Sequence, residues 1–301
     1  MENGIINVYK EKGFTSFDVV AKMRGIIGQK KIGHTGTLDP DAEGVLPVCL
    51  GNATKICDLL TDKTKEYVAE LLLGVETDTQ DITGTVLSTK DVQVTQEQVV
   101  ETIMSFLGEY DQVPPMYSAL KVNGRKLVDL AREGIEVERK ARRIHIYELE
   151  ILKVDLPVVK MRVHCSKGTY IRTLCHDIGQ KLGCGGTMKS LLRSRVDQFC
   201  VEDALTLSQL QQRKAENRLK ECILSVDCMF PDLKKLHVKE EYLKALQNGN
   251  RLSKKCFKEK DIVSEDKEEV LVYNSENVFY AIYAYLEQDH NYKIVKMFLP
   301  E

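Results

Sequence analysis

The stretch GHTGTLDPDAEG, Gly33 to Gly44, carries the carboxylates Asp39, Asp41 and Glu43 at alternate positions. A carboxylate can take a proton, attack a carbon or hold a metal ion, so acid–base, covalent and metal-assisted chemistry are all open to it. The three are not equivalent. Pro40 disfavours helical backbone at Asp39 and holds it extended. Leu38 before it is apolar, which places Asp39 where a buried segment surfaces. Asp41 and Glu43 read as the first turn of a possible helix, where the macrodipole favours negative charge. A turn-opening Asx before proline also explains Asp39, and the residues alone favour that turn.

Other side chains are worth the same scrutiny. Arg172 in GTYIRTL falls in the first turn of an expected helix, where a cation opposes the dipole, so a carboxylate or a phosphate should hold it. Tyr67 in KEYVAEL reads first as a half-buried sheet tyrosine. His34, beside glycines, reads as a loop residue whose exposed imidazole could stack on a base. The glycine loop lacks the GK[ST] ending of a phosphate loop and the GxGxxG spacing of a dinucleotide site. GHTG does match a GXXG nucleic-acid clamp, but four residues match by chance too often to carry an argument.

Net charge is −2 over 301 residues, yet Lys121 to Arg195 holds seventeen Lys/Arg against eight Asp/Glu. That block reads equally as a solvated face or as a surface that meets a large anion. Lys121, Arg125, Lys126, Arg142 and Arg143 are spaced to track a phosphate backbone. The nine cysteines show no CxxC pair and no His partner, which points to free thiols in a reducing compartment rather than to zinc. No apolar run approaches the roughly 20 residues of a membrane span, and no basic-then-apolar leader opens the chain; a cytoplasmic protein is expected.

These residues need elements to position them. A strand opens the chain, and Thr15 with Asp18 caps a helix whose apolar face is Val19, Val20, Met23 and Ile27. EYVAELLLGVETDTQDITGTVLS predicts two strands around a polar turn, and TQEQVVETIMSFLGEY a helix ended by Gly108. The basic stretch 112–150 is extended around a short helix. VVKMRVHCS alternates as a strand and leads into a helix striped by Ile171, Leu174, Cys175, Ile178 and Leu182. LQQRKAENRLKE is an exposed helix or linker, and a strand-rich terminal segment follows.

Taken together, the motifs GHTGTLDPDAEGVLPVCLGNATK, KEYVAELLLGVETDTQDITG, PPMYSALKVNGRKLVDLAREGIEV and CSKGTYIRTLCHDIGQKLGCGG resemble the TruB-type tRNA pseudouridine synthases, in order, over residues 3 to about 210. The segment 231–301 resembles their small PUA-like domain, chiefly through LKALQNGNRLS. The resemblance implies an α+β fold: a mixed, largely antiparallel sheet with flanking helices and a central cleft in residues 1–230, a thumb-like RNA-binding insertion at about 115–145, and a β domain over 231–301. It implies isomerisation of uridine 55 in the tRNA T-loop, with a further role in tRNA folding. Asp39 would be the catalytic carboxylate, Tyr67 the stacking and proton-transfer tyrosine, and Arg172 the partner that keeps Asp39 ionised. His34 would fill the vacated T-loop stack, while Lys10, Lys55, Tyr170 and Leu191 would support the pocket. One departure stands out, Glu11 where the family commonly has proline, which would soften the first turn.

An isomerisation that neither oxidises nor hydrolyses needs no cofactor and no metal. The implied partner is the tRNA T-arm, met by a monomer without guide RNA or obligatory protein. Three rivals remain: a guide-RNA-dependent relative, an RNA-binding module with a silent site, and a metal-dependent hydrolase using Asp39, Asp41 and Glu43.

Overall fold

A computed structural model describes residues 1–299. Pro300 and Glu301, the last two residues of the expected terminal segment, lie outside the described residues. Two sheets organise the chain. The larger runs β1 (Gly4–Lys10), β2 (Ile32–His34), β3 (Glu43–Leu50), β4 (Lys65–Leu73), β7 (Gly108–Gln112), β10 (Arg142–Asp155), β11 (Val158–Cys165), β12 (Gly186–Val196) and β13 (Phe199–Cys200). Its order is β1-β3-β12-β4-β11-β10-β7, with β2 on β3 and β13 on β12. Every pairing is antiparallel except β12 with β3. Two small ribbons interrupt it, β5 (Val75–Thr77) with β6 (Val86–Thr89), and β8 (Lys121–Val122) with β9 (Arg125–Lys126). The terminal sheet is built from β14 (Lys234–His237), β15 (Leu252–Ser253), β16 (Glu269–Tyr273), β17 (Phe279–Leu286) and β18 (Asn291–Met297).

Capping chemistry sets the helix starts. Thr15, Thr95 and Thr206 each form a capping box with the third residue on, opening α1 (Ser16–Ile27), α3 (Gln96–Met104) and α6 (Leu207–Ala215). Short helices α2 (Cys57–Thr61), α4 (Leu127–Arg132) and α7 (Leu243–Gln247) fill connections, and α5 (Ile171–Lys181) crosses one face of the sheet. Its expected stripe packs as read: Ile171, Leu174, Cys175 and Ile178 are buried, with Leu182 half-buried beside them. The approach is close because Gly179 has no side chain; a Cβ there would meet the Gly186 nitrogen at 2.1 Å. On α1 Val19, Val20 and Met23 are buried as expected, Ile26 joins them, and Ile27 packs half-buried on the same core.

Two local expectations are corrected. Asp41 and Glu43 do not begin a helix: Pro40 and Asp41 form a turn, and Glu43 opens β3 because its backbone pairs with Leu192 on β12. Of the two readings of the segment from residue 210, the exposed helix holds through Ala215, while Leu207 and Leu210 are buried in the same core as Val19, Val20 and Met23. Glu11 does not slacken its turn either, since the Gly13 amide donates to the Pro40 carbonyl at 2.9 Å. The terminal sheet shares a core with the larger one, Leu271, Tyr273, Ile282 and Phe298 packing with Ile5, Val45 and Ile56. All nine cysteines are free thiols.

Candidate active site

Asp39 is fixed from both sides of its backbone. The Ser16 hydroxyl, at the start of α1, accepts from the Leu38 amide at 2.9 Å, and the Asp39 carbonyl accepts from Ala42 at 3.1 Å. Leu38 itself is sunk in the core beside Leu191 and Tyr67. Below the loop lies Lys10, fully buried, whose ammonium donates to the carbonyls of Ala42 at 2.6 Å, Pro40 at 3.0 Å and Glu11 at 3.2 Å. Three donors meet three acceptors, so Lys10 braces the loop from beneath and does not line the cleft.

The Asp39 carboxylate faces Arg172 at the start of α5. Nε lies 2.9 Å from Oδ2 and Nη2 donates to Oδ1 at 3.2 Å, a two-pronged pair. The rest of the guanidinium is held by the Thr79 carbonyl at 3.1 Å, the Tyr117 carbonyl at 2.9 Å and Asp81 at 3.7 Å. Of the three loop carboxylates only Asp39 enters this network: Asp41 reaches Lys12 at 3.9 Å near the surface, and Glu43 accepts from the Tyr9 hydroxyl at 3.4 Å.

Arg172 does not hold the Asp39 carboxyl below its usual range. Loss of water pushes it up, and Asp81 pushes the same way; Arg172 pulls down without cancelling them. Arg172 thus favours the ionised form of Asp39 against a larger pull from burial towards the protonated one.

Two cavities, of about 400 and 340 Å³, meet at Asp39, Arg172 and Leu191. The second reaches Tyr67, Tyr170, Lys65 and Arg193. Sheet register explains the grouping: Arg193 and Leu191 lie opposite Tyr67 and Ala69 across the β12–β4 ladder, so all four share one face. Bulges between Met188 and Ser190, and between Arg193 and Arg195, twist β12 on either side of them. Gly44 lets β3 cross here, for a Cβ would strike the Arg193 carbonyl at 2.3 Å. Burial pushes the Tyr67 phenol up to about 12, with Arg193 pulling against it. Tyr170 caps α5 through its backbone, which exchanges two hydrogen bonds with the Gln112 amide, at 2.8 and 3.0 Å.

The remaining expected residues are dispersed. His34, on β2, is half-buried rather than exposed and lines neither cavity. Burial and then Arg193 push its imidazole down, towards the neutral form. Lys55 points away: its ammonium donates to the Met297 carbonyl at 2.7 Å and ties the terminal sheet to the larger one. In the insertion, Lys121 and Lys126 are exposed cross-strand partners on a ribbon turned by Asn123 and Gly124, both at positive φ. Arg142 and Arg143 are neighbours on β10 and so point to opposite faces. Arg143 is gripped by Asp111 at 2.7 and 3.0 Å and by Glu109 at 3.0 Å, and Arg125 pairs with Glu133. Those two side chains are exposed and each has a carboxylate partner within the protein. Sequence reading missed Asp81, Lys65 and Arg193.

A carboxylate–guanidinium pair where two cavities meet, with an aromatic ring and a leucine in the wall, can act on a planar ring carried into the cleft. Comparison with known proteins decides which family builds it. The model of the TruB family pseudouridylate synthase N-terminal domain matches residues 24–171, and that of the tRNA pseudouridylate synthase B C-terminal domain matches 172–230. This chain belongs to the TruB family of pseudouridine synthases. It is 54% identical to tRNA pseudouridine synthase B of Lachnoclostridium phytofermentans, over 99% of this chain and all of that one. It is 46% identical to the protein of the same name from Clostridium kluyveri, with the same coverage. Among solved structures, a Cbf5–Nop10–Gar1 complex matches at TM-score 0.72 and 27% identity, over 99% of this chain and 85% of that one. The synthase in an H/ACA ribonucleoprotein bound to substrate RNA matches at 0.71 and 26%, with the same two coverages. These likenesses extend over nearly the whole chain, beyond the residues that the family models match.

Proposed function

We propose that this chain converts uridine 55 in the T-loop of tRNA to pseudouridine, as a single chain needing neither guide RNA nor a protein partner. The observation that carries the reading is Asp39, paired with Arg172 at the junction of two cavities and within reach of the wall formed by Tyr67 and Leu191. Taking a uridine out of its stack costs a few kcal/mol. Stacking on Tyr67 returns about 1–3 kcal/mol of that.

The N1–C1′ bond then breaks with its electron pair going to N1. Asp39 meets the electron deficiency left on the sugar either by adding to C1′ or by taking the C2′ proton. Its upward-shifted carboxyl suits both roles, since each uses the ionised form as base or nucleophile. The uracil turns and C5 bonds to C1′, as Asp39 leaves C1′ or returns the proton to C2′; the C5 proton then leaves and N1 takes one up, so the product is an isomer. Lys121, Lys126 and Arg142 supply phosphate contacts that read RNA shape rather than sequence. The T-loop must open and re-form around this step, so the same chain assists tRNA folding, an activity that Asp39→Asn should retain.

The test uses purified chain and unmodified tRNA transcript tritiated at uracil C5, with the product located by carbodiimide mapping. Release at the T-loop uridine, abolished by Asp39→Asn, is expected. Bound tRNA without release would leave an RNA-binding protein on a synthase scaffold. Release only when guide RNA is added would make the chain a guide-dependent relative.

A further inference from the structure

The second cavity holds more positive charge than the pairing of Asp39 with Arg172 uses. Its charged lining is Asp39, Arg172, Lys65 and Arg193. Arg193 is 1% exposed; it donates to the main-chain carbonyls of Val45 at 2.7 Å, Gly36 at 3.3 Å and Thr37 at 3.5 Å and lies against the Tyr67 hydroxyl, with no carboxylate partner. Lys65 is 7% exposed and donates to the carbonyls of Thr61 and Lys63, each at 2.5 Å. Among the described residues no carboxylate lies within ion-pair distance of either, and the nearby Asp62 is taken by Lys167 at 2.9 Å. A buried cation without a counter-ion is costly, and a fold that keeps two beside one cavity is organised for a negative charge that arrives there.

Both cations flank the ring on which the base would stack. Lys65 precedes Tyr67 by two residues on β4 and shares its face, about 7 Å along the strand. Arg193 is the cross-strand neighbour of Tyr67 on β12. Both are nearly buried side chains of the cavity wall, unlike the exposed lysines of the insertion.

We propose that Lys65 and Arg193 stabilise the uracil anion released when the glycosidic bond breaks. This rests on the isomerisation proposed above, and holds for either route by which Asp39 acts. In both, the N1–C1′ electron pair departs with the base, spreading negative charge over N1, O2 and O4. Fixed positive charge in a partly dry cavity is strongest for charge that appears only on the way to that intermediate. Once C5 has bonded to C1′ the base is neutral again, and the two cations no longer favour holding it.

Arg193 also tethers the loop that carries Asp39, through Gly36 and Thr37, so Lys65 is the cleaner probe. Single-turnover loss of substrate nucleoside would be followed on two T-arm RNAs, one with uridine and one with 5-fluorouridine, whose base leaves more readily. With wild type active, Lys65→Gln should slow uridine cleavage on the order of 100-fold, and 5-fluorouridine cleavage by no more than about tenfold, at unchanged RNA affinity. Lys65→Arg, which keeps the charge, should recover most of the rate. Lys65→Met provides a second neutral variant should the Gln chain melt early. Equal losses on the two bases would mean a merely structural lysine. Weaker RNA binding at an unchanged saturated rate would mean a phosphate contact. Either result overturns the proposal, as does an unchanged rate.

Discussion

The Asp39 loop and the basic insertion are both surface connections in the sequence, yet they are built on opposite principles. Around Asp39 the polar groups are tied down: Lys10 holds three loop carbonyls from a fully buried position, Ser16 holds Leu38, and Arg172 is gripped by two carbonyls besides its carboxylates. In the insertion, Lys121 faces Lys126 directly across a two-residue ribbon, an arrangement of like charges that disfavours itself until an anion joins it. Chemistry is placed on the rigid, over-determined region, where a small displacement costs most. The grip on RNA is left to an exposed element with charge to spare. Tyr117 links the two, since its carbonyl holds Arg172 while its own segment leads into the insertion.

Breaking the rigid side should have the largest effects. Arg172→Met leaves Asp39 and Asp81 facing each other without their shared cation, and single-turnover rate should fall about 10³-fold. Asp81→Asn is milder, about 10- to 100-fold, and sharpens the electrostatic account through pH. The reaction uses ionised Asp39, so the rate drops as pH falls through its pKa. Asp81 helps to raise that pKa, so the variant's acid limb should shift to lower pH, while that of Arg172→Met shifts to higher pH. Rate–pH profiles read both; limbs that stay in place would remove Asp81 from the network.

Lys10→Met tests the brace. It leaves three carbonyls short of a donor and should cost on the order of 2 kcal/mol in stability, seen as a lower Tm. The sign with pH is definite. Burial lowers the Lys10 pKa from 10.5 to about 8, so between those values the unfolded chain binds the extra proton. Wild-type stability relative to Lys10→Met should therefore rise from pH 8 to 10.5 and be flat below. Among the basic residues Arg143→Ala should do least. With Asp111 and Glu109 already on its guanidinium, tRNA affinity should change less than about threefold, measured by filter binding at fixed salt.

Much of the site could be read from residue types. Pro40 and Leu38 set Asp39 apart from its neighbours but favoured a plain turn, and a cation at a helix start announced that Arg172 needed a carboxylate or a phosphate; the family resemblance chose between these readings. What could not be read lies in tertiary pairing. Asp81 sits in a polar turn where Thr79 and Thr83 bond its carboxylate, so its sequence looks like turn chemistry and nothing more. Lys65 and Arg193 read as ordinary basic residues because their burial depends on the β4–β12 ladder. The bulges in β12 break the alternation that would have shown it as a strand. The pairing of Glu43 with Leu192 likewise overrides a helical start that local charge favoured.

The most direct test of the division between chemistry and grip compares Asp39→Asn with the double variant Lys121→Ala plus Lys126→Ala, measuring tRNA Kd against salt and the saturated single-turnover rate for each. The account predicts no reaction and an unchanged Kd for Asp39→Asn. For the double variant it predicts weaker binding, a slope of log affinity against log salt reduced by about 1.5–2, and a saturated rate within about twofold of wild type. A double variant that binds normally but reacts slowly, or an Asp39→Asn chain that loses its tRNA, would contradict it.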